Sequence, residues 1–263
     1  MKFLVLLISI FLFGCNTHKL LVQRPVTTIT GTAFYSTAVA FNWQQRDSFA
    51  IAAILEGNMP LFNKKFVPIH TSIIGPDQKI IHATYFVSPD YLSIGTNEDW
   101  ARIPLTPIAA QRIADSLNCF LPTKKMVDEI YVQSNVKLAP VPMYAFRDST
   151  ITMWQHHLII EGQRKNQKGL IAGIKKDVVL SNIVSKHAKP NREAIYGWHL
   201  LNGKAIQPLY AGHINWYVDY SHGIRLVMNH IIVDGKKMDY KKVLLDPSLR
   251  ALLTDELDPM IRY

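Results

Sequence analysis

Cysteine is nearly absent: Cys15 and Cys119 are the only two in 263 residues. That excludes the disulfide framework by which small secreted domains compensate for a thin core. The local zinc spacings H-E-x-x-H, paired C-x-x-C and H-x-H do not occur, so a metal would have to be gathered from distant parts of the chain. No G-x-S-x-G elbow surrounds a serine, and Ser221 beside His222 is therefore not read as a nucleophile. After residue 15 no apolar run approaches the roughly 20 residues needed to cross a bilayer. Internal repeats and low-complexity tracts are also missing. Acidic residues are in deficit, 20 against 29 Lys and Arg, giving a net charge of +9. The cations come as scattered pairs (Lys64-Lys65, Lys124-Lys125, Lys175-Lys176, Lys236-Lys237, Lys241-Lys242). With no nucleic-acid motif, this argues against nucleic acid as a partner and leaves attraction to anionic lipid or acidic envelope polymer.

What the chain does have starts at its first fifteen residues. Lys2, the apolar run Phe3 to Phe13 and Gly14 before Cys15 form the layout of a secretory signal. The sequence Leu12-Phe13-Gly14-Cys15 resembles the bacterial lipobox. The resemblance implies cleavage before Cys15, acylation of that cysteine with palmitate-type chains, and a lipoprotein of the cell envelope. Such a protein is lipid-anchored on the cell membrane or outer membrane and works outside the cytoplasm. The expected organisation is a signal peptide over 1–14, a lipidated tether over 15–26 and a single domain over 27–263. With Cys15 acylated, Cys119 is an unpaired thiol, read as a buried small hydrophobe, a nucleophile or one half of an intermolecular disulfide.

Residue patterns predict an α+β domain with a mainly antiparallel sheet and a two-helix insertion near residues 106–134. Residues 27–43, rich in Thr, Val, Tyr and Phe, favour strand, and Asp47-Ser48 would cap a helix ending near Leu55. Gly75-Pro76-Asp77-Gln78 between two strand-like runs signals a hairpin, as do Asn202-Gly203 and Asp234-Gly235. Thr106-Pro107 and Pro122-Thr123 open the two inserted helices, with Cys119 in their connection. A helix over 154–164 brings His156, His157 and Glu161 near one another, and a last helix is expected from Asp246-Pro247 to Leu253.

Seven of the ten histidines fall between residues 156 and 230. The densest chemistry lies in Gly197-Trp198-His199, Gly212-His213 and Asp219-Tyr220-Ser221-His222-Gly223-Ile224-Arg225. Read as one strand, His213 to Tyr220 would hold His213 and Asp219 about 20 Å apart, too far to share a proton or a metal. Asp219 and His222 differ, because a turn at Tyr220-Ser221 lets the carboxylate fix the imidazole as the support of a general base. Arg225 is read as an anion clamp or as the partner of Asp219. Trp198, His199 and Tyr220 are candidate substrate contacts within an aromatic-rich region that also holds Tyr210, Trp216 and Tyr217. Lys175-Lys176-Asp177 interrupts an apolar strand and must lie at an edge, pair or line a site. No metal site is assigned and no cofactor is expected. A zinc reading would require three of Asp177, His199, His213, Asp219 and His222 to converge.

Cys119 followed later by Gly212-His213-Ile214 at a strand opening resembles the cysteine-then-histidine order of NlpC/P60-type cell-wall peptidases, although no Asp-Cys-Ser-Gly motif opens a helix here. The function these observations point to is a membrane-tethered extracytoplasmic hydrolase cleaving an amide or ester of peptidoglycan or another envelope or extracellular polymer. His213 or His222 would act as base, Asp219 as its orienter, Cys119 as nucleophile and Arg225 as clamp. The alternative is a non-catalytic lipoprotein binding glycan, peptide or a partner protein through an aromatic-rich sheet.

Overall fold

The Gly75-Pro76-Asp77-Gln78 signal marks the longest hairpin of the fold. Strands Val67–Ile74 and Ile80–Val87 pair antiparallel along their full length, from Ile74 opposite Ile80 to Val67 opposite Val87. Asp77 accepts from the Lys79 amide, and Gln78 takes the left-handed conformation (φ 62°) that closes the turn. The structure is a computed structural model and describes residues 18–22 and 25–263. The signal run 1–14 and Cys15 lie outside the described residues.

Strand Ile80–Val87 is the centre of a six-stranded antiparallel sheet. Its second edge receives Val227–Met228 and His230–Val233, and the latter turns through Asp234-Gly235 into Lys236–Asp239. Cys119–Phe120 completes the sheet beside Val227–Met228. The segment expected as a free tether is partly docked: Leu20 is buried, its amide bonds the Lys64 carbonyl, and the His18 ring stacks on Phe86 at 3.5 Å.

Six helices are described: α1 (Gly31–Ala38), α2 (Trp43–Leu55), α3 (Pro107–Ser116), α4 (Lys124–Gln133), α5 (Thr150–Arg164) and α6 (Tyr240–Leu245). Helices α3 and α4 are the expected insertion, each started by a threonine cap, Thr106 and Thr123, that accepts a first-turn amide. Residues 27–43 correct the strand expectation. Thr30 caps α1 by accepting from the Ala33 amide, and Asn42 with Gln45 forms a reciprocal capping box on α2. Phe34 and Ala38, spaced i,i+4, bury one face of α1, so local caps and a helical apolar stripe override strand-favouring composition. The helix expected after Asp246-Pro247 is also corrected. Asp239 caps α6 earlier, and only a single tight turn, Arg250–Leu252, follows the proline.

A second sheet runs Ala205–Tyr210, Ile195–His199, Lys176–Val178, His222–Gly223. Its first three strands are antiparallel, the first two joined at Asn202-Gly203, and the last pairs parallel to Lys176-Asp177. Helix α4 ties the two sheets together through adjacent carboxylates. Glu129 accepts from Thr71 and Tyr85 of the large sheet, while Asp128 accepts from Tyr196 and contacts His199 of the small one. The result is an α+β fold.

Candidate functional site

Residues 213–220 do not form a strand. The Glu193 amide bonds the His213 carbonyl, and the Asn215 amide bonds the Asn191 carbonyl, pinning this segment across the entry to strand Ile195–His199. A turn from Ile214 to Tyr217 then folds the chain back. A second turn, closed by the His222 amide on the Asp219 carbonyl, delivers His222 to the edge of the small sheet. Folding back removes the separation that an extended strand would impose. Gly223 lets that edge seat closely, since a Cβ there would lie 2.5–2.6 Å from Tyr91 and Lys175.

The product is a buried chain of ionisable groups. Asp219 Oδ1 lies 3.1 Å from His222 Nδ1, and His222 Nε2 lies 2.8 Å from Glu193 Oε1. The same Glu193 oxygen lies 3.3 Å from His213 Nδ1. Asp219 is fixed on its other sides by the Ser221 amide and hydroxyl and by Arg147 at 2.9 Å. Asp219, His222 and Glu193 are fully buried, whereas the His213 side chain is 28% exposed between the Tyr210 and Tyr217 rings.

Environment sets the charges. Burial alone would push the His222 imidazole down, but Glu193 and Asp219 outweigh it and hold its pKa up at about 9. Burial would raise both carboxyls. The His222 charge keeps Glu193 below its usual range, and hydrogen bonds from His222 and Ser221 keep Asp219 far below it. Burial pushes the Lys176 ammonium down, with Asp219 as its main favourable partner. The arrangement can hold a proton on His222, present His213 to solvent from an oriented carboxylate, or direct three donor atoms at one point. Those donors are Glu193, His213 and His222, whose ligand atoms all lie within 4.8 Å of one another.

The other sequence candidates go elsewhere. Cys119 is buried in the large sheet opposite Met228, its thiol donates to the Leu117 carbonyl, and burial pushes its pKa up. Arg225 neither clamps an anion nor pairs with Asp219. It is buried, donates to the Ser88 and Ile171 carbonyls, and lies 4.0 Å from Asp177. Asp177, raised to about 6 by burial, accepts from Tyr91. His199 stacks on Tyr131 and reaches Asp128. Trp198 and Tyr220 are buried, so Trp198, His199 and Tyr220 offer no open binding face. The convergence of Asp177, His199 and Asp219 on a metal with the histidines is not observed.

Two groups were not singled out from sequence: Glu193 and Arg147. Only Glu193 carried a signal, a carboxylate directly preceding the apolar strand 195–199. Arg147 comes from the loop after Pro140, which is locked onto the site because the Met143 amide donates to the Tyr220 hydroxyl and the Tyr220 amide to the Arg147 carbonyl. Tyr144 and Phe146 project from this loop at 90% and 82% exposure. A cleft of about 440 Å³ lined by Arg46, Asp148, Trp216 and Tyr217 opens beside it.

No protein-family model matches the chain, and neither a curated protein nor a solved structure is significantly similar to it.

Proposed function

We propose that this protein is an extracytoplasmic hydrolase, anchored through lipid on Cys15, that cleaves an amide or ester of peptidoglycan or another envelope polymer at the 193–222 cluster. The observation that carries this reading is Glu193, a buried carboxylate between two histidines of which one is accessible. A carboxylate that orients an exposed imidazole is the usual support of a general base. In this reading His213 takes a proton from water, Glu193 orients it, and the Asp219–His222 pair fixes Glu193. Arg147, partly exposed and already beside Asp219, is a guanidinium placed to meet negative charge on the substrate. Tyr144 and Phe146 supply stacking surface on the adjoining loop. Cys119 and Arg225 have no part in it.

The anchoring proposal fits the docked N-terminal segment. Only Asn16 and Thr17 separate Cys15 from His18, a reach of about 10 Å at ~3.3–3.6 Å per residue, so the body would sit close against the bilayer. The test is to incubate the purified full chain with insoluble envelope polymer and analyse released fragments by mass spectrometry. His213→Ala is expected to slow release by about 10²–10⁴-fold, the usual contribution of a general base. Absence of release from every polymer tried, with Tyr144 or Phe146 variants losing polymer retention, would favour the non-catalytic binding reading that those exposed aromatics support.

A further inference from the structure

The same three donors invite a question that acid–base chemistry leaves open, namely what satisfies their unpaired atoms. Glu193 Oε2 is buried and has no hydrogen-bond partner among the described residues, and His213 Nδ1, also buried, has only the 3.3 Å contact to Glu193 Oε1, outside hydrogen-bond geometry. A buried carboxylate oxygen left bare is costly, and such atoms are normally paired. The other oxygen of the same carboxylate, Glu193 Oε1, faces both imidazoles.

We propose that Glu193, His213 Nδ1 and His222 Nε2 form a binding site for a single divalent transition-metal cation of the zinc type, with a fourth position open to water. The spacing suits it. Zinc bonds of ~2.0–2.1 Å in a tetrahedron set neighbouring donors about 3.3–3.4 Å apart. Here Glu193 Oε1 stands 3.3 Å from His213 Nδ1, at that spacing, and 2.8 Å from His222 Nε2, a hydrogen bond that a cation would replace and open by about 0.5 Å. Three protein ligands of this kind are what catalytic zinc keeps, reserving the fourth site for water. The supporting shell is present as well. Asp219 Oδ1 lies 3.1 Å from His222 Nδ1, which is the carboxylate–histidine arrangement that fixes the tautomer of a metal-bound imidazole. Asp219 is itself held by Ser221 and Arg147. The donors come from three separate backbone segments, and the hydrogen bond from the Glu193 amide to the His213 carbonyl fixes two of them relative to each other. The His213 side chain is 28% exposed, so this ligand lies at the solvent side of the cluster.

Two cations oppose a metal here, Arg147 on Asp219 and the buried Lys176 within electrostatic range of Glu193 and Asp219. Two buried carboxylates offset them. The rival occupant is a proton on His222, bridging Asp219 and Glu193.

The inference keeps the site and the reaction of the hydrolase reading but changes its base. With His213 held as a ligand, a metal-bound water would stand in for the water that His213 would otherwise deprotonate, and only this step, not binding itself, rests on that reading. The full chain in detergent, stripped with a chelator and dialysed, is titrated with zinc against a chromophoric competitor. The visible spectrum of its cobalt-substituted form is recorded alongside. One zinc per chain and a tetrahedral cobalt spectrum are expected. Affinity should fall at least 100-fold in Glu193→Gln and His213→Ala, and 10–100-fold in Asp219→Asn, whose role is positioning. It should be unchanged in His70→Ala, an exposed histidine of the large sheet. His213→Ala carries the test if Glu193→Gln does not fold, because His213 sits at the surface. Equal zinc affinity in wild type and His213→Ala, or no zinc bound by wild type, overturns the inference. Polymer cleavage by chelated protein that binds no zinc overturns the metal and keeps the hydrolase. Bound zinc without cleavage of any polymer keeps the metal site and removes the hydrolase.

Discussion

Two histidine pairs in this molecule, one fully buried and one with a single buried member, stand in opposite electrostatic environments. His156 and His157 lie on α5 among cations. The Lys175 ammonium is 3.2 Å from His156 Nδ1, and the Arg102 guanidinium borders His157 while bonding Asp90 and Glu161. Burial first, then Lys175, drives the His156 pKa down to about 2, and burial with Arg102 holds His157 well below its usual value. His213 and His222 instead share Glu193, and His222 is held up at about 9. Burial pulls His156, His157 and His222 in the same direction, so the neighbouring charge decides the outcome. The first pair is locked neutral and serves packing, with His157 set against Trp100 and Trp154. The second can hold a proton or a cation, which is why function is assigned there.

The largest expected effect breaks the cationic side. Burial lowers Lys175 from its ordinary 10.5 to about 7. The unfolded chain therefore binds more protons between those values, and stability must rise with pH across that window. The penalty is fully present below about pH 7 and relieved by pH 10.5, on the order of 5 kcal/mol at ~1.4 kcal/mol per unit. Chemical denaturation of wild type and Lys175→Met from pH 6.5 to 10.5 reads the difference between the two curves. Loss of the hydrogen bond to the Tyr220 carbonyl shifts the variant by a constant, while loss of the charge removes the slope. Parallel curves would show that Lys175 stays charged in the fold and that the comparison is misdrawn.

Breaking the anionic side comes next. Glu193→Ala leaves the His222 charge with Asp219 alone, and removal of one partner from a buried pair destabilises by about 3–5 kcal/mol. Urea denaturation of the metal-stripped protein measures it. A loss under 1 kcal/mol would mean that His222 is neutral and uncoupled from Glu193. A milder perturbation moves the backbone rather than a charge. Gly223→Ala forces a Cβ to 2.5–2.6 Å from Tyr91 and Lys175, and overpacking of this kind costs about 1–3 kcal/mol. Because Gly223 follows His222, this variant should also weaken zinc binding, and wild-type affinity in it would separate the strand's packing from the site's geometry. The smallest effect concerns Cys119, where nothing should happen. Its buried, upward-shifted thiol should alkylate at neutral pH at least about tenfold more slowly in the folded protein than in urea, since the thiolate is the reactive form. Equal rates would return Cys119 to consideration as a nucleophile.

Much of the fold was legible because its signals are local. Asn202-Gly203 and Asp234-Gly235 each sit between paired strands, and Thr106-Pro107 and Thr123 each begin a helix, because turn and cap chemistry acts over two to four residues. The misreadings are of the same range. Over 27–43 the composition favours strand, while Thr30 and Asn42 cap helices there. The site was half legible. Asp219 and His222 met as expected, three residues apart across one turn. Glu193 was missed because a residue's chemistry depends on what packs against it. Its distance from His222, 29 positions along the chain, carries no information about contact.

By itself, the sequence determined the α+β class, the hairpins, the inserted helices and the Asp219–His222 pair, because each rests on interactions between near neighbours. Which histidines are charged, which carboxylate joins them, and the withdrawal of Cys119 and Arg225 into the core were decided only in the tertiary structure. The reason is that desolvation and Coulomb energy act through space. A fold-back at residues 214–217 brought His213 to Glu193 where an extended strand would have held it and Asp219 about 20 Å apart.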